Sequence, residues 1–147
     1  KKISSYLVDI GGEIKAQGEK QDQQPWRIGI EKPLVEAREV QRIVTLVNEA
    51  MATSGDYRNF FTKNGIHYSH TIDPRIGHPI RYNLLSVTVL DQSAMVADAL
   101  ATALLVMGPE DSIRFAENNE IPAYLIYSDG NSMAERFTSS FLLNINE

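Results

Sequence analysis

The sequence predicts an α+β fold in which a mixed, mostly antiparallel sheet carries one buried helix and one or more surface helices. Three observations predict it. Short β-branched or aromatic runs recur between glycine and proline turns, as strands do. Residues 93–107 form one apolar run of helical length, "SAMVADALATALLVM", and residues 109–119 are polar and open on Pro109 followed by two acids, as a surface helix does. The 147 residues, 43% hydrophobic, suit a single domain large enough to bury its own core.

From the N-terminus, "YLVDI" (Tyr6 to Ile10) predicts a buried strand stopped by the tight turn Gly11-Gly12, with "EIKAQG" as the return strand. "EKQDQQP" is a loop. In "WRIGIEKP", Trp26, Ile28 and Ile30 alternate on one face until Pro33, which predicts a half-buried strand. The stretch "VQRIVTLVNEAMATSGDY" fits helical spacing at Val40, Ile43, Val44, Val47 and Met51, but its β-branched content favours one or two strands, with "TSGDY" as a turn. "RNFFTKNGIHYSH" predicts a hairpin turning at Asn64-Gly65. "DPRIGHP" is a loop and "SVTVL" (Ser86 to Leu90) a short buried strand. Ser93 is placed to cap the apolar helix and Gly108 to end it. The polar helix covers Pro109 to Asn119, its acids Glu110 and Asp111 matching the N-terminal dipole. "AYLIYSDGNS" and the final "SSFLLNI" are read as closing strands, with Asp129-Gly130 as the turn.

Composition excludes several function classes. The net charge is -5 and the 14 Lys and Arg are scattered, so the basic footprint of nucleic-acid binding is missing. Apolar runs fall short of the roughly 20 residues of a membrane span, and no basic leader with an apolar segment opens the chain. The absence of cysteine removes disulfides, thiolate metal sites and a cysteine nucleophile. The first residue is Lys1 rather than Met, which fits a processed or excised piece.

The residues that could carry chemistry are few. Asp98 and Thr102 are the polar residues of the apolar helix after Ser93, and at i and i+4 they share one stripe. A buried ionised carboxylate needs a partner, and a carboxylate beside a hydroxyl is an oxygen pair suited to a hard ion such as Mg²⁺. The alternative is that Asp98 pairs with an arginine while Thr102 bonds back to its helix. His67 and His70 stand three apart in a strand, where they diverge, so a paired-histidine metal site is not expected. His70, at the strand end, is either an acid/base group or a solvated histidine. Asp73 either serves the site or caps its own proline-containing turn. Gly11, Gly12 and the Ser54-Gly55 turn either approach a phosphate with their backbone amides or are ordinary turns.

Taken together, "YLVDIGGEIKAQG", "PWRIGIEKP", "ATSGDYRNFF", "YSHTIDPRIGHP", "SVTVL" and "MVADALATALLVMG" resemble, in order and spacing, the bacterial FAD:protein FMN transferases, the ApbE family long labelled thiamine-biosynthesis lipoproteins. The resemblance runs over essentially the whole chain and favours the metal reading. It implies an ApbE-like, T-fold-like architecture, with residues 1–147 as the C-terminal part of a flavin transferase domain about twice as long. It implies an enzyme that uses Mg²⁺ to cleave FAD, joins the FMN half to a Thr or Ser of an acceptor flavoprotein, and releases AMP. Asp98 and Thr102 then match the Mg²⁺ ligands, His70 the base on the acceptor hydroxyl, and Ile72 a position lining the FAD site. Gly11, Gly12, Ser54, Gly55 and Asp73 are its expected neighbours. The acceptors expected by resemblance are subunits of membrane electron-transfer complexes of the Na⁺-translocating quinone reductase type, met on the periplasmic side by a lipid-anchored parent. The remaining half is expected to bring an aromatic that packs on the flavin and the lipidated cysteine. Two residues depart from the pattern: Ile76 stands where many relatives have Thr, and Ala101 where some carry a further carboxylate, which implies more water on the metal. Mg²⁺-dependent hydrolysis of FAD to FMN and AMP, and a non-catalytic flavin-binding module, are the alternative functions.

Overall fold

A computed structural model describes residues 3–34, 38–55, 60–63, 66–81, 83–130 and 132–145, with the backbone alone described for 60–63 and 66–68. Its elements are β1 (Tyr6–Ile10), β2 (Glu13–Gln17), β3 (Trp26–Glu31), β4 (Val40–Leu46), β5 (Ala50–Gly55), β6 (Phe60–Lys63), β7 (Ile66–Ser69), β8 (Ile72–Asp73), β9 (His78–Pro79), β10 (Leu84–Asp91), α1 (Ala94–Met107), α2 (Pro109–Asn118), β11 (Ala123–Asp129), β12 (Ser132–Phe137) and α3 (Ser139–Leu142).

β10 is buried along nearly its whole length and stands inside a six-stranded sheet of order β1-β2-β5-β10-β11-β12, every neighbouring pair antiparallel. Because successive side chains alternate between faces, the sheet builds two cores. Ala52, Val87, Val89, Ala123 and Leu125 face the helices and pack against Ala97, Ala101, Leu104 and Leu105 of α1 and Ala116 of α2. Their sequence neighbours Met51, Leu90, Tyr124 and Ile126 face the other way, onto Ile28 and Ile30 of β3, Val44 and Leu46 of β4, and Phe141 of α3. The molecule is therefore layered as helices, sheet, and a β3–β4 hairpin with α3.

β4 and β5 are both strands, as the β-branched content favoured. The expected Asn64-Gly65 turn between the paired strands β6 and β7 lies outside the described residues. Other expectations are corrected. β1 is an exposed edge strand: its apolar run reads as buried, but among the described residues it pairs on one side only, with β2. Ser54 and Gly55 do not form a turn; they are the end of β5, held extended opposite Val87 and Ser86 of β10, and Asp56 and Tyr57 lie outside the described residues. The final apolar segment is helix α3, whose Phe141 stacks under Tyr124 at 5.5 Å, and β11 turns at Asp129-Gly130 into β12 instead. "DPRIGHP" carries the two short strands β8 and β9 around its turn. Ser93 stands at the N-cap of α1 without a side-chain cap bond; its own amide donates to Asp91 Oδ1 at 2.7 Å. Among the described residues no helix is long and apolar enough to cross a membrane.

Candidate functional site

β2 covers only the start of β5. β5 pairs with β10 from Ala50 to Gly55, but with β2 only at Lys15↔Ala50 and Ile14↔Met51. β2 starts only at Glu13, after the Gly11-Gly12 turn, so from Thr53 to Gly55 β5 has no strand beside it on that edge among the described residues, and a cleft of about 530 Å³ opens there.

Three elements furnish its walls. On one side stands the β1–β2 turn, where Gly11 and Gly12 have φ of 71° and 107°, the positive values a two-residue hairpin turn requires. A Cβ at Gly12 would meet nothing, so the torsion rather than crowding calls for glycine there. The Gly12 amide donates to Asp9 Oδ1 at 3.1 Å, which orients that carboxylate at the tip. On the second side is α1. It is not buried all round, because it packs only its Ala97, Ala101, Leu104 and Leu105 face on the sheet. The next stripe, Asp98, Thr102 and Leu105, lines the cleft, with Asp98 and Thr102 exposed. The expected buried carboxylate is thus a solvated one at the mouth of a cleft. Thr102 Oγ1 lies 2.8 Å from Ser54 Oγ, tying helix to strand. On the third side the β3–β4 hairpin contributes Gly29, Ile30 and Glu31.

His70 and Thr71, following β7, complete the lining, so His70, Asp98, Thr102, Gly11, Gly12, Ser54 and Gly55 all meet in one cleft. The charges there are one-sided. Asp9, Glu13, Glu31 and Asp98 line it with no lysine or arginine among the described lining residues. Lys15, next to it in β2, is turned to the carbonyl oxygens of Asn48 and Gln92 at 2.9 and 2.8 Å. Asp9, Glu13, Glu31 and Thr53 were missed by sequence reasoning. Asp9 and Glu13 flank the double glycine, a signal that was available; Glu31 and Thr53 reach the cleft only through long-range pairing.

Ile72 and Asp73 stand apart from this lining. Ile72 is about half exposed in β8, and Asp73 lines a separate hollow with Ile76, His78, Pro79, Ile80 and Arg81. The carboxylate of Asp73 accepts from the Arg75 amide at 2.9 Å and from Arg75 Nη2 at 2.7 Å, while its carbonyl accepts from the Gly77 amide at 2.8 Å. Asp73 therefore caps its own turn. The Arg75 guanidinium, with the Arg75 amide, holds the Asp73 carboxyl below the usual carboxylate range. The side chain of His67 lies outside the described residues.

The fit to a divalent cation rests on the donor set. Asp98 and Thr102 offer oxygen one helical turn apart, and no cluster of three His, Cys, Asp or Glu occurs among the described residues. Few protein oxygens, with water and phosphate supplying the rest, is how Mg²⁺ is usually held. A cleft lined by four carboxylates also repels a pyrophosphate unless a cation accompanies it.

A model of the ApbE family matches residues 1–125. The FAD:protein FMN transferase of Vibrio cholerae serotype O1 is 51% identical over 139 residues, which cover 95% of this chain and 42% of the relative. That of Escherichia coli K12 is 38% identical over 139 residues, 95% of this chain and 40% of the relative. Among solved structures, the flavin transferase ApbE from Vibrio cholerae matches with a TM-score of 0.84 at 48% identity, over 97% of this chain and 45% of that one. The ApbE protein of Thermotoga maritima matches with a TM-score of 0.84 at 32% identity, over the same shares. The chain thus spans less than half the length of the relatives it matches.

Proposed function

Because the chain belongs to the ApbE family, we propose that it carries the cation-holding and proton-accepting part of an enzyme that transfers FMN from FAD to a Thr or Ser hydroxyl of an acceptor flavoprotein. The single observation that carries this reading is the meeting of His70 with Asp98 and Thr102 in one acidic cleft. In the reaction the acceptor oxygen attacks the FMN-side phosphorus, its P–O bond forms as the bond to the bridging oxygen breaks, AMP leaves, and the hydroxyl proton passes to His70. Imidazole suits that role because it titrates near neutrality. Asp98 and Thr102 would hold Mg²⁺, which when bound neutralises charge on the phosphoryl oxygens. Asp9, Glu13 and Glu31 make the cleft favour a pyrophosphate that arrives with a cation.

The same membership supports a wider reading. The acceptors are subunits of membrane electron-transfer complexes of the Na⁺-translocating quinone reductase type, and this chain is the C-terminal part of a parent anchored by lipid on the periplasmic side. The exposure of His70, Asp98 and Thr102 favours a second activity, hydrolysis of FAD to FMN and AMP, with water in place of the hydroxyl.

Asp98→Ala in the full-length protein is expected to lower transfer at least about a hundredfold. The assay is the mass of an acceptor incubated with FAD and Mg²⁺, with AMP followed in parallel. Unchanged transfer would overturn the reading. AMP released by the wild type without acceptor would establish the hydrolytic activity.

A further inference from the structure

A threonine inside a helix ordinarily turns its hydroxyl proton back to the carbonyl one turn earlier. For Thr102 that carbonyl belongs to Asp98. In this structure the Thr102 hydroxyl instead meets Ser54 Oγ at 2.8 Å, across the gap between α1 and β5. The contact follows from the register. Ala52 packs under α1, and Ser54, two residues on along the extended strand, projects from the same face toward the helix. A hydroxyl has one proton and two acceptor sites. When Thr102 donates to Ser54, its lone pairs are left for a cation in the cleft, and the oxygen is fixed beside Asp98 rather than free to rotate.

We propose that Ser54 is a positioning residue: its hydroxyl accepts the Thr102 proton and so presents the Thr102 oxygen, with Asp98, as a preformed cation site. This rests on the reading of Asp98 and Thr102 as Mg²⁺ ligands. It assigns Ser54 a role through Thr102 and not, as a turn amide or flavin contact would have it, through the flavin nucleotide. Partners of metal ligands commonly govern about ten- to hundredfold of metal affinity.

The test compares Ser54→Thr with Ser54→Val, two β-branched side chains of one shape that differ by the hydroxyl, in the full-length protein. Mn²⁺ alone is the probe, its binding read from loss of the free-ion electron paramagnetic resonance signal. Metal-free FAD affinity and the melting temperature are followed as controls. Ser54→Val is expected to weaken Mn²⁺ about tenfold, with Ser54→Thr within about twofold of wild type. The two variants should melt together and bind metal-free FAD equally. If Asp98→Asn and Thr102→Val weaken Mn²⁺ while both Ser54 variants bind it like wild type, the positioning role is overturned and the metal reading stands. Loss of metal-free FAD binding in Ser54→Val, with Mn²⁺ affinity retained, would make Ser54 a flavin contact and also overturn the role. If Asp98→Asn and Thr102→Val leave Mn²⁺ binding unchanged, or the wild type binds none, the metal reading itself falls, and this inference with it.

Discussion

Asp73 is almost wholly buried, yet its charge is satisfied within its own turn by the side chain and amide of Arg75. Since its folded pKa lies below the ordinary 3.8, the stability this pairing lends is complete above that value and is lost as pH falls through the lowered one. Asp73→Asn is therefore expected to melt below the wild type near neutral pH, with the gap narrowing as melts are taken toward about pH 2. A gap that stayed constant across the series would mean that shape, not charge, holds the turn. Residue-level chemistry was legible where it broke a pattern. Asp98 and Thr102 stood out in an apolar helix, and His70 at the end of an aromatic strand. Ser54 and Gly55 were misread because serine and glycine are turn formers by local propensity, and only pairing with β10 keeps them extended.

Among elements, the junction of α1 and α2 depends on Gly108, which ends one helix and begins the next with φ 81° and ψ 167°. That conformation is essentially confined to glycine. Gly108→Ala is expected to cost about 1–3 kcal/mol in urea unfolding, because the strained backbone must persist or the helices must re-angle. The cleft stripe of α1 would shift with it. Element type was legible for the apolar helix and the Pro109 start, where the patterns were long, and for β10, whose short run is β-branched. The final segment was not, because "SSFLLNI" is too short for periodicity to separate strand from helix. Its outcome is set by Phe141, which must reach the Tyr124 ring, and by Thr138 before it, whose hydroxyl accepts from the Ala123 amide and donates to the Ile121 carbonyl, both at 2.9 Å.

For the whole molecule, the β3–β4 hairpin is tied to the β12 edge of the sheet by an ion pair. Arg42 of the β3–β4 hairpin donates to Glu135 of β12 at 2.7 Å, Gln41 adds a second donor, and the guanidinium lies 5.8 Å from the centroids of both Tyr124 and Phe137. Burial alone would raise the Glu135 carboxyl, but its hydrogen-bond donors, Arg42 foremost, hold it below the ordinary value. Arg42→Met leaves that carboxylate without its cation and is expected to cost about 1–3 kcal/mol. Arg42→Met with Glu135→Gln should cost less than the sum of the single changes, the mark of direct coupling in urea unfolding. The hairpin that this pair docks carries Gly29, Ile30 and Glu31 into the cleft, so the site depends on a contact at the opposite edge of the sheet. None of this was legible in the sequence, since it joins residues more than ninety positions apart. The shortness of β2 beside β5 has a consequence for adaptation. A longer β1–β2 hairpin that paired β5 out to Gly55 would add backbone hydrogen bonds and close the cavity at once, so selection for heat tolerance and selection for an open site pull on this hairpin's length in opposite directions.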